Sequence, residues 1–179
     1  MPRIAPLEPP YEAEIQSQFD RIMRGAPPLM LFRVMTSNPR AWDKFRAGSL
    51  LDRGPLNLRE REIVIDRTCA LNACEYEWGV HVTTFGPAAG LSDAEIRATV
   101  GEGAEAPCWS AAERTLIRAV EALHARSTLS DSEFSALSSH YDDAKILEII
   151  LLCGFYRTVS YLANGLRLPL EDKVARFPA

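Results

Sequence analysis

Three residues of types that move protons or electrons stand at helical spacing near the middle of the chain: Cys74, Glu77 and His81. Spaced i, i+3 and i+7, they share one face of a helix, with Glu77 and His81 adjacent at i, i+4. A thiol, a carboxylate and an imidazole on one stripe form a proton-handling set, and Glu62 upstream offers a second carboxylate. If a helix starts just after Asn72, the free N–H groups and dipole at its start favour a Cys74 thiolate. A protonated His81 would favour it further and Glu77 would oppose it; the spacing leaves the balance open. The plainer alternative is a buried cysteine acting as a small apolar group. Cys74 and His81 are also zinc-ligand types, but His124 and His140 have no spacing that recommends them as further ligands, so no metal is expected.

Whether these residues meet depends on the segment Leu56 to Ala89, which has one proline and little glycine before Gly86. It reads either as one helix of roughly thirty residues or as two helices broken near Asn72. The break is favoured, because Asn72 is a good N-cap and Glu75 completes a capping-box-like pattern. With a break the two helices pack antiparallel. Glu62 is then about ten residues before the turn and His81 about nine after it, at matching height for a rise of ~1.5 Å per residue. An unbroken helix would leave Glu62 roughly 28 Å from His81. On a continuous helix Cys69 would point about 140° away from Cys74. A cross-link between them would need the break to bring them together, and none is expected.

The rest of the chain supplies the scaffold. Residues 1–10 hold four prolines and read as an extended N-terminal arm, mobile or laid on a neighbouring subunit. Helical spacing predicts helices over Tyr11 to Met23, Leu29 to Met35, and from Pro39 to about Leu51. Three Ser-x-x-Glu signatures, Ser92/Glu95, Ser110/Glu113 and Ser130/Glu133, mark helix starts. They predict helices near 92–100, 110–126 and 130–140, followed by 142–163 as the most apolar and central one. No strand alternation appears. The expected fold class is all-α, a compact single domain over 11–179 in which an antiparallel helix pair carries the site.

Composition narrows the function classes. At 179 residues the chain suits one domain that buries a core without staples, so its four cysteines read as buried or reactive thiols rather than a disulfide framework. A net charge of -4 without any dense Lys/Arg run argues against nucleic acid as a partner. The most apolar stretch, Ile146 to Tyr156, is short and carries Glu148, so no membrane span is expected. The first residues lack the apolar core of a secretory signal, which places the protein in the cytoplasm. There is no Gly-rich phosphate loop, nucleotide motif or flavin signature, so no cofactor is expected.

Arg59-Glu60-Arg61-Glu62, the apolar helix after it, Asn72-Ala73-Cys74-Glu75-Tyr76-Glu77-Trp78-Gly79-Val80-His81 and Gly90-Leu91-Ser92-Asp93-Ala94-Glu95-Ile96 together resemble the core of the carboxymuconolactone decarboxylase / alkyl hydroperoxidase D superfamily. Gly154-Phe155-Tyr156-Arg157 and Tyr161-Leu162-Ala163-Asn164-Gly165 resemble its C-terminal helix, and the likeness spans about 50–170. The resemblance implies an alkyl hydroperoxidase D-like fold, a small-molecule substrate and a homo-oligomer, dimer-based, trimeric or hexameric. The hydroperoxidase branch carries a Glu, then Cys-x-x-Cys, then a His four residues on; the matching positions are Glu62, Cys74, Glu77 and His81. Glu77 stands where that branch has its second cysteine, so Cys74 lacks a resolving partner at that spacing. The decarboxylase branch needs no redox dithiol and implies acid–base chemistry on a small carboxylated substrate or lactone. Arg59, Arg61 or Arg157 could hold its carboxylate, or else lie in solvent or pair with Glu60 or Asp66. The leading expectation is therefore a decarboxylase-family enzyme with Glu62, Cys74, Glu77 and His81 at its site, His81 exchanging the proton and the two glutamates tuning it. The alternatives are a thiol peroxidase using Cys74 alone, and a non-catalytic helical oligomeric binding protein.

Overall fold

The computed structural model describes residues 2–178; Met1 of the expected arm and Ala179 of the expected domain lie outside them. Among the described residues the chain forms nine α-helices, one 3-10 turn and no strand. The helices are α1 (Ala13–Met23), α2 (Met30–Met35), α3 (Pro39–Ala47), α4 (Leu58–Leu71), α5 (Glu75–Ala89), α6 (Asp93–Val100), α7 (Ala111–Arg126), α8 (Asp131–Ser138) and α9 (Asp143–Gly165). All three Ser-x-x-Glu signatures form capping boxes, at the starts of α6, α7 and α8. A fourth, Asn57 with Glu60, starts α4. In each, a side-chain oxygen and a carboxylate satisfy amides that the first turn leaves without partners. Helix α3 begins with Pro39 after an Asn38 cap as expected, but ends at Gly48, sooner than its apolar spacing implied.

Helix α4 is the centre of the molecule. Residues 62 to 69 are buried without interruption, and the helix packs against α5, α6, α7 and α9. Burying Ile63, Val64 and Ile65 contributes roughly 1.5–3 kcal/mol each. Such a helix is sheltered all round and has no solvent face on which to place its charges. Arg67 therefore meets Glu121 of α7 at 2.7 Å and the Thr99 carbonyl at 2.9 Å. Glu62 and Asp66 project on the side of α5 and α9, described below.

The α4–α5 break is present, with different capping from that expected. Asn72 ends α4, its side-chain amide donating to the Thr68 carbonyl at 2.8 Å, and Cys74 is the N-cap of α5. The reversal falls on Ala73, at φ +50°. On α9, Asn164 Nδ2 donates to the Asn72 carbonyl at 3.0 Å and ties the turn down.

Helix α9 runs 23 residues and is long and apolar enough by composition to cross a membrane, a length the stretch Ile146 to Tyr156 alone did not convey. Here it is a core helix: Ile146, Ile149, Leu152, Cys153, Tyr156, Val159, Ser160 and Ala163 are buried in the bundle. The N-terminal arm lies on its own chain, through Arg3 N–H to the Leu166 carbonyl (2.8 Å) and Leu7 N–H to the Arg33 carbonyl (2.9 Å). The C-terminal tail crosses α5 at Gly79, where a Cβ would press into the Ala175 carbonyl oxygen.

Candidate active site

The turn between α4 and α5 folds two three-residue stripes onto one another. On α4 the stripe is Glu62, Asp66 and Cys69, at i, i+4 and i+7; on α5 it is Cys74, Glu77 and His81. Antiparallel packing sets the residues nearest the bend against each other, and likewise those farthest from it. The far end is an acid–base cluster. His81 Nδ1 lies 2.7 Å from Glu62 Oε2, and His81 Nε2 lies 3.4 Å from Glu77 Oε1. The other Glu62 oxygen accepts from Arg61 Nε at 3.0 Å.

Of the four residues singled out in the sequence, Glu62, Glu77 and His81 are brought into contact, and Cys74 lies one turn away with its sulfur accepting from the Glu77 amide. The Cys74 thiol sits at the near end of the seam with Cys69, and the Ser160 hydroxyl faces both. Helix α9 roofs the whole seam: Ser160 covers the thiols, and one turn earlier the Tyr156 ring stands edge-on to His81 with centroids 5.0 Å apart. Phe85 also packs on His81, with centroids 5.2 Å apart, and the Arg61 guanidinium lies over the Phe85 ring.

Burial sets the electrostatics. Glu62 has no exposed surface and His81 is 3% exposed. Burial alone would depress the imidazole's basicity, but the facing Glu62 and Glu77 carboxylates outweigh it and hold His81 up to about 10. The ring is therefore an imidazolium at neutral pH, forming ion pairs with the two carboxylates. Asp66, also fully buried, has no hydrogen-bond partner on either carboxylate oxygen. Burial and the neighbouring Glu62 raise it well above the usual carboxylate range, against a smaller opposing pull from His81, so it is held as the neutral acid. Burial likewise pushes the Cys74 thiol up to about 11, only partly offset by the Glu77 amide and Ser160. The helix-start effect expected to favour a thiolate is thus overridden by desolvation.

Asp66 was missed as a site residue, although its signal was legible: an acid one turn beyond Glu62 in an otherwise apolar run. Among the three candidate arginines only Arg61 reaches the cluster. Arg59 instead pairs with Glu95 and with Glu113, the latter at 2.6 Å. Arg157 donates to the Tyr161 hydroxyl at 2.7 Å and the His124 carbonyl at 3.2 Å. A cavity of about 220 Å3 lies beside Arg157, lined also by Thr68, His124 and Cys153, and none of the four expected site residues borders it. Among the described residues no group of three or more His, Cys, Asp or Glu side chains is arranged to hold a metal ion.

The Carboxymuconolactone decarboxylase family profile matches residues 37–122, a span containing the whole α4–α5 seam. No curated protein matches the chain in sequence. Among solved structures, an uncharacterized peroxidase-related protein from Silicibacter sp. TM1040 superposes with a TM-score of 0.85 at 17% identity, covering 99% of this chain and 96% of that one. An alkylhydroperoxidase AhpD core protein, also peroxidase-related, from Ralstonia eutropha JMP134 gives 0.84 at 19% identity, covering 96% and 93%. The debrominase Bmp8, as a cysteine-to-alanine variant in complex with 2,3,4-tribromopyrrole, gives 0.76 at 13% identity, covering 94% and 91%. These likenesses establish the fold as alkyl hydroperoxidase D-like.

Proposed function

The chain carries a carboxymuconolactone decarboxylase family segment at residues 37–122 on an alkyl hydroperoxidase D-like fold, and from that premise we propose that it is an enzyme of acid–base chemistry, decarboxylating or protonating a small carboxylated substrate or lactone. The observation that carries this reading is the Glu62–His81–Glu77 array, closed on both imidazole nitrogens. Glu62 on Nδ1 fixes the ring and stabilises its charge. The Nε2 proton, shared with Glu77, is the one presented to substrate.

Loss of carbon dioxide leaves an electron pair on the substrate carbon. The imidazolium first stabilises that negative charge and then delivers its Nε2 proton to the carbon; water restores the proton to His81. Bringing an anionic substrate beside a buried imidazolium requires access, and Arg61 over Phe85 forms the partly exposed edge of the cluster. Displacing Arg61 from Glu62 would open that edge and offer a guanidinium to a carboxylate. A hydroperoxidase role for Cys74 is less well supported, because its thiol is buried and held protonated, and Glu77 stands in the resolving position.

The test uses carboxymuconolactone as probe, following carbon dioxide release and deuterium incorporation from heavy water. His81→Asn and Glu77→Gln should each lower turnover by about 10²–10⁴-fold, the usual contribution of a positioned acid or base. Cys74→Ser should retain it. Turnover of a hydroperoxide that Cys74→Ser abolishes, without any action on the lactone, would replace this reading with the peroxidase one.

A further inference from the structure

At the near end of the seam the fold joins two thiols that the acid–base reading leaves unused. The Cys74 amide donates to the Cys69 carbonyl at 2.9 Å. Covalent geometry on either side of that bond limits the two Cα atoms to a separation of about 6.8 Å, the upper end of the range a disulfide spans. One hydroxyl, Ser160 of α9, faces both sulfurs, and its own O–H donates to the Tyr156 carbonyl at 2.7 Å. The turn that brings them together is anchored by Asn164, and only Ala73 of its residues is exposed. Neither cysteine has exposed surface. Cys153 contacts Thr68 instead, and Cys108 lies beyond α6.

We propose that Cys69 and Cys74 are a two-electron redox pair, which an oxidant of the peroxide class converts to a disulfide bridging the end of α4 to the start of α5. The inference is independent of the acid–base reading. The Cys74 sulfur attacks one peroxide oxygen and the O–O bond breaks. The departing oxygen takes up the thiol proton and leaves as water, giving a sulfenic acid on Cys74. The Cys69 sulfur then attacks the Cys74 sulfur. The sulfenic hydroxyl leaves with the Cys69 proton as a second water, and the disulfide closes. Two thiols and one hydrogen peroxide become one disulfide and two waters, and an external dithiol reverses the exchange. Because burial keeps both groups as thiols, the pair reacts slowly. It is therefore an oxidation site rather than a fast peroxidase centre.

Trypsin makes the test direct, because the peptide Thr68–Arg97 contains both cysteines and no other. The folded chain is treated with hydrogen peroxide, then denatured, alkylated with iodoacetamide and digested, with circular dichroism recorded before denaturation. The expected product is that peptide unalkylated and two hydrogens lighter, reverting with dithiothreitol. It should be lost in Cys69→Ser, Cys69→Ala and Cys74→Ser and kept in Cys153→Ser. Full alkylation of both cysteines after oxidation would overturn the proposal. So would Cys74 sulfinic acid beside an alkylated Cys69, cross-links to Cys108 or Cys153 in its place, or loss of helical signal before the cross-link appears.

Discussion

Raising the pH above neutrality should weaken the fold through His81, with buried Asp66 adding a loss of the same sign, before any thiol contributes. The imidazole has a pKa of 6.5 when unfolded and about 10 when folded. Between those values the native state binds a proton that the unfolded chain has released, so stability falls as pH rises. His81's contribution is fully present below 6.5 and gone above about 10. Between pH 6.5 and about 8.5 the loss expected from His81 is about 2 kcal/mol, the part that Glu62→Gln should reduce. That figure depends little on the upper value, since most of the interval lies where the unfolded ring is neutral and the folded one charged. It is a sizeable part of a typical domain's ~5–15 kcal/mol.

Urea denaturation across this interval measures the loss, and NMR titration of the imidazole reports the ring itself. The stop near pH 8.5 matters, because unfolded cysteines begin to ionise there, and the raised Cys74 thiol would add a loss of the same sign. His124 has the opposite sign: burial and the nearby Arg157 and Arg67 lower it, so its effect is confined below 6.5. Glu62→Gln removes the charge facing Nδ1 and should flatten the slope. A wild-type stability that is level or rising from 6.5 to 8.5, or a Glu62→Gln slope equal to wild type, would refute the charged-pair account.

Asp66→Asn replaces an acid that must stay protonated, and it should reduce the fall in stability with pH above the usual carboxylate range; an unchanged urea profile would show that Asp66 is ionised when folded. Gly79→Ala should push the C-terminal tail off α5 and speed tryptic cleavage at Lys173 and Arg176, with α5 itself intact; unchanged cleavage would mean the tail accommodates the methyl group. Homo-oligomerisation, expected from the family resemblance, is tested on the outward face of α9, where Leu147, Leu151 and Tyr161 are exposed. Leu147→Glu with Leu151→Glu should move sedimentation from oligomer to monomer, and sedimentation unaltered by the pair of changes would clear that face of a role.

Most helix starts were legible because the groups involved are local: a serine oxygen, an amide three residues on, and a glutamate reaching back. The break near Asn72 was legible for a related reason, but its capping was not. The Cys69 carbonyl takes the Cys74 amide and Ala73 turns to positive φ, which moves the N-cap two residues along. Partners distant in sequence were out of reach. Arg59 is held by Glu95 and Glu113, which were recognisable as capping residues but not as ion-pair partners. The thiol's state was misjudged for a physical reason: the favourable terms at a helix start can be read from spacing, whereas desolvation depends on what α9 lays over the site.

That roof also explains how one seam can hold two chemistries. Tyr156 covers His81 and Ser160 covers the thiols, four residues apart on the same helix, so the two ends are kept at a fixed distance along α4 and α5. Asp66 lies between them and acts on both: its charge would repel Glu62 and raise the Cys69 thiol further. Held neutral, it carries neither effect. Two carboxylates, Glu62 and Glu77, then face two cations, His81 and Arg61, and the far end of the seam is balanced without drawing on the thiols. Oxidation at Cys69 and Cys74 removes two neutral thiols and adds no charge. It should therefore shift the His81 titration little, whereas ionising Asp66 would add to the coupling that Glu77, facing His81 and raising both thiols, already provides.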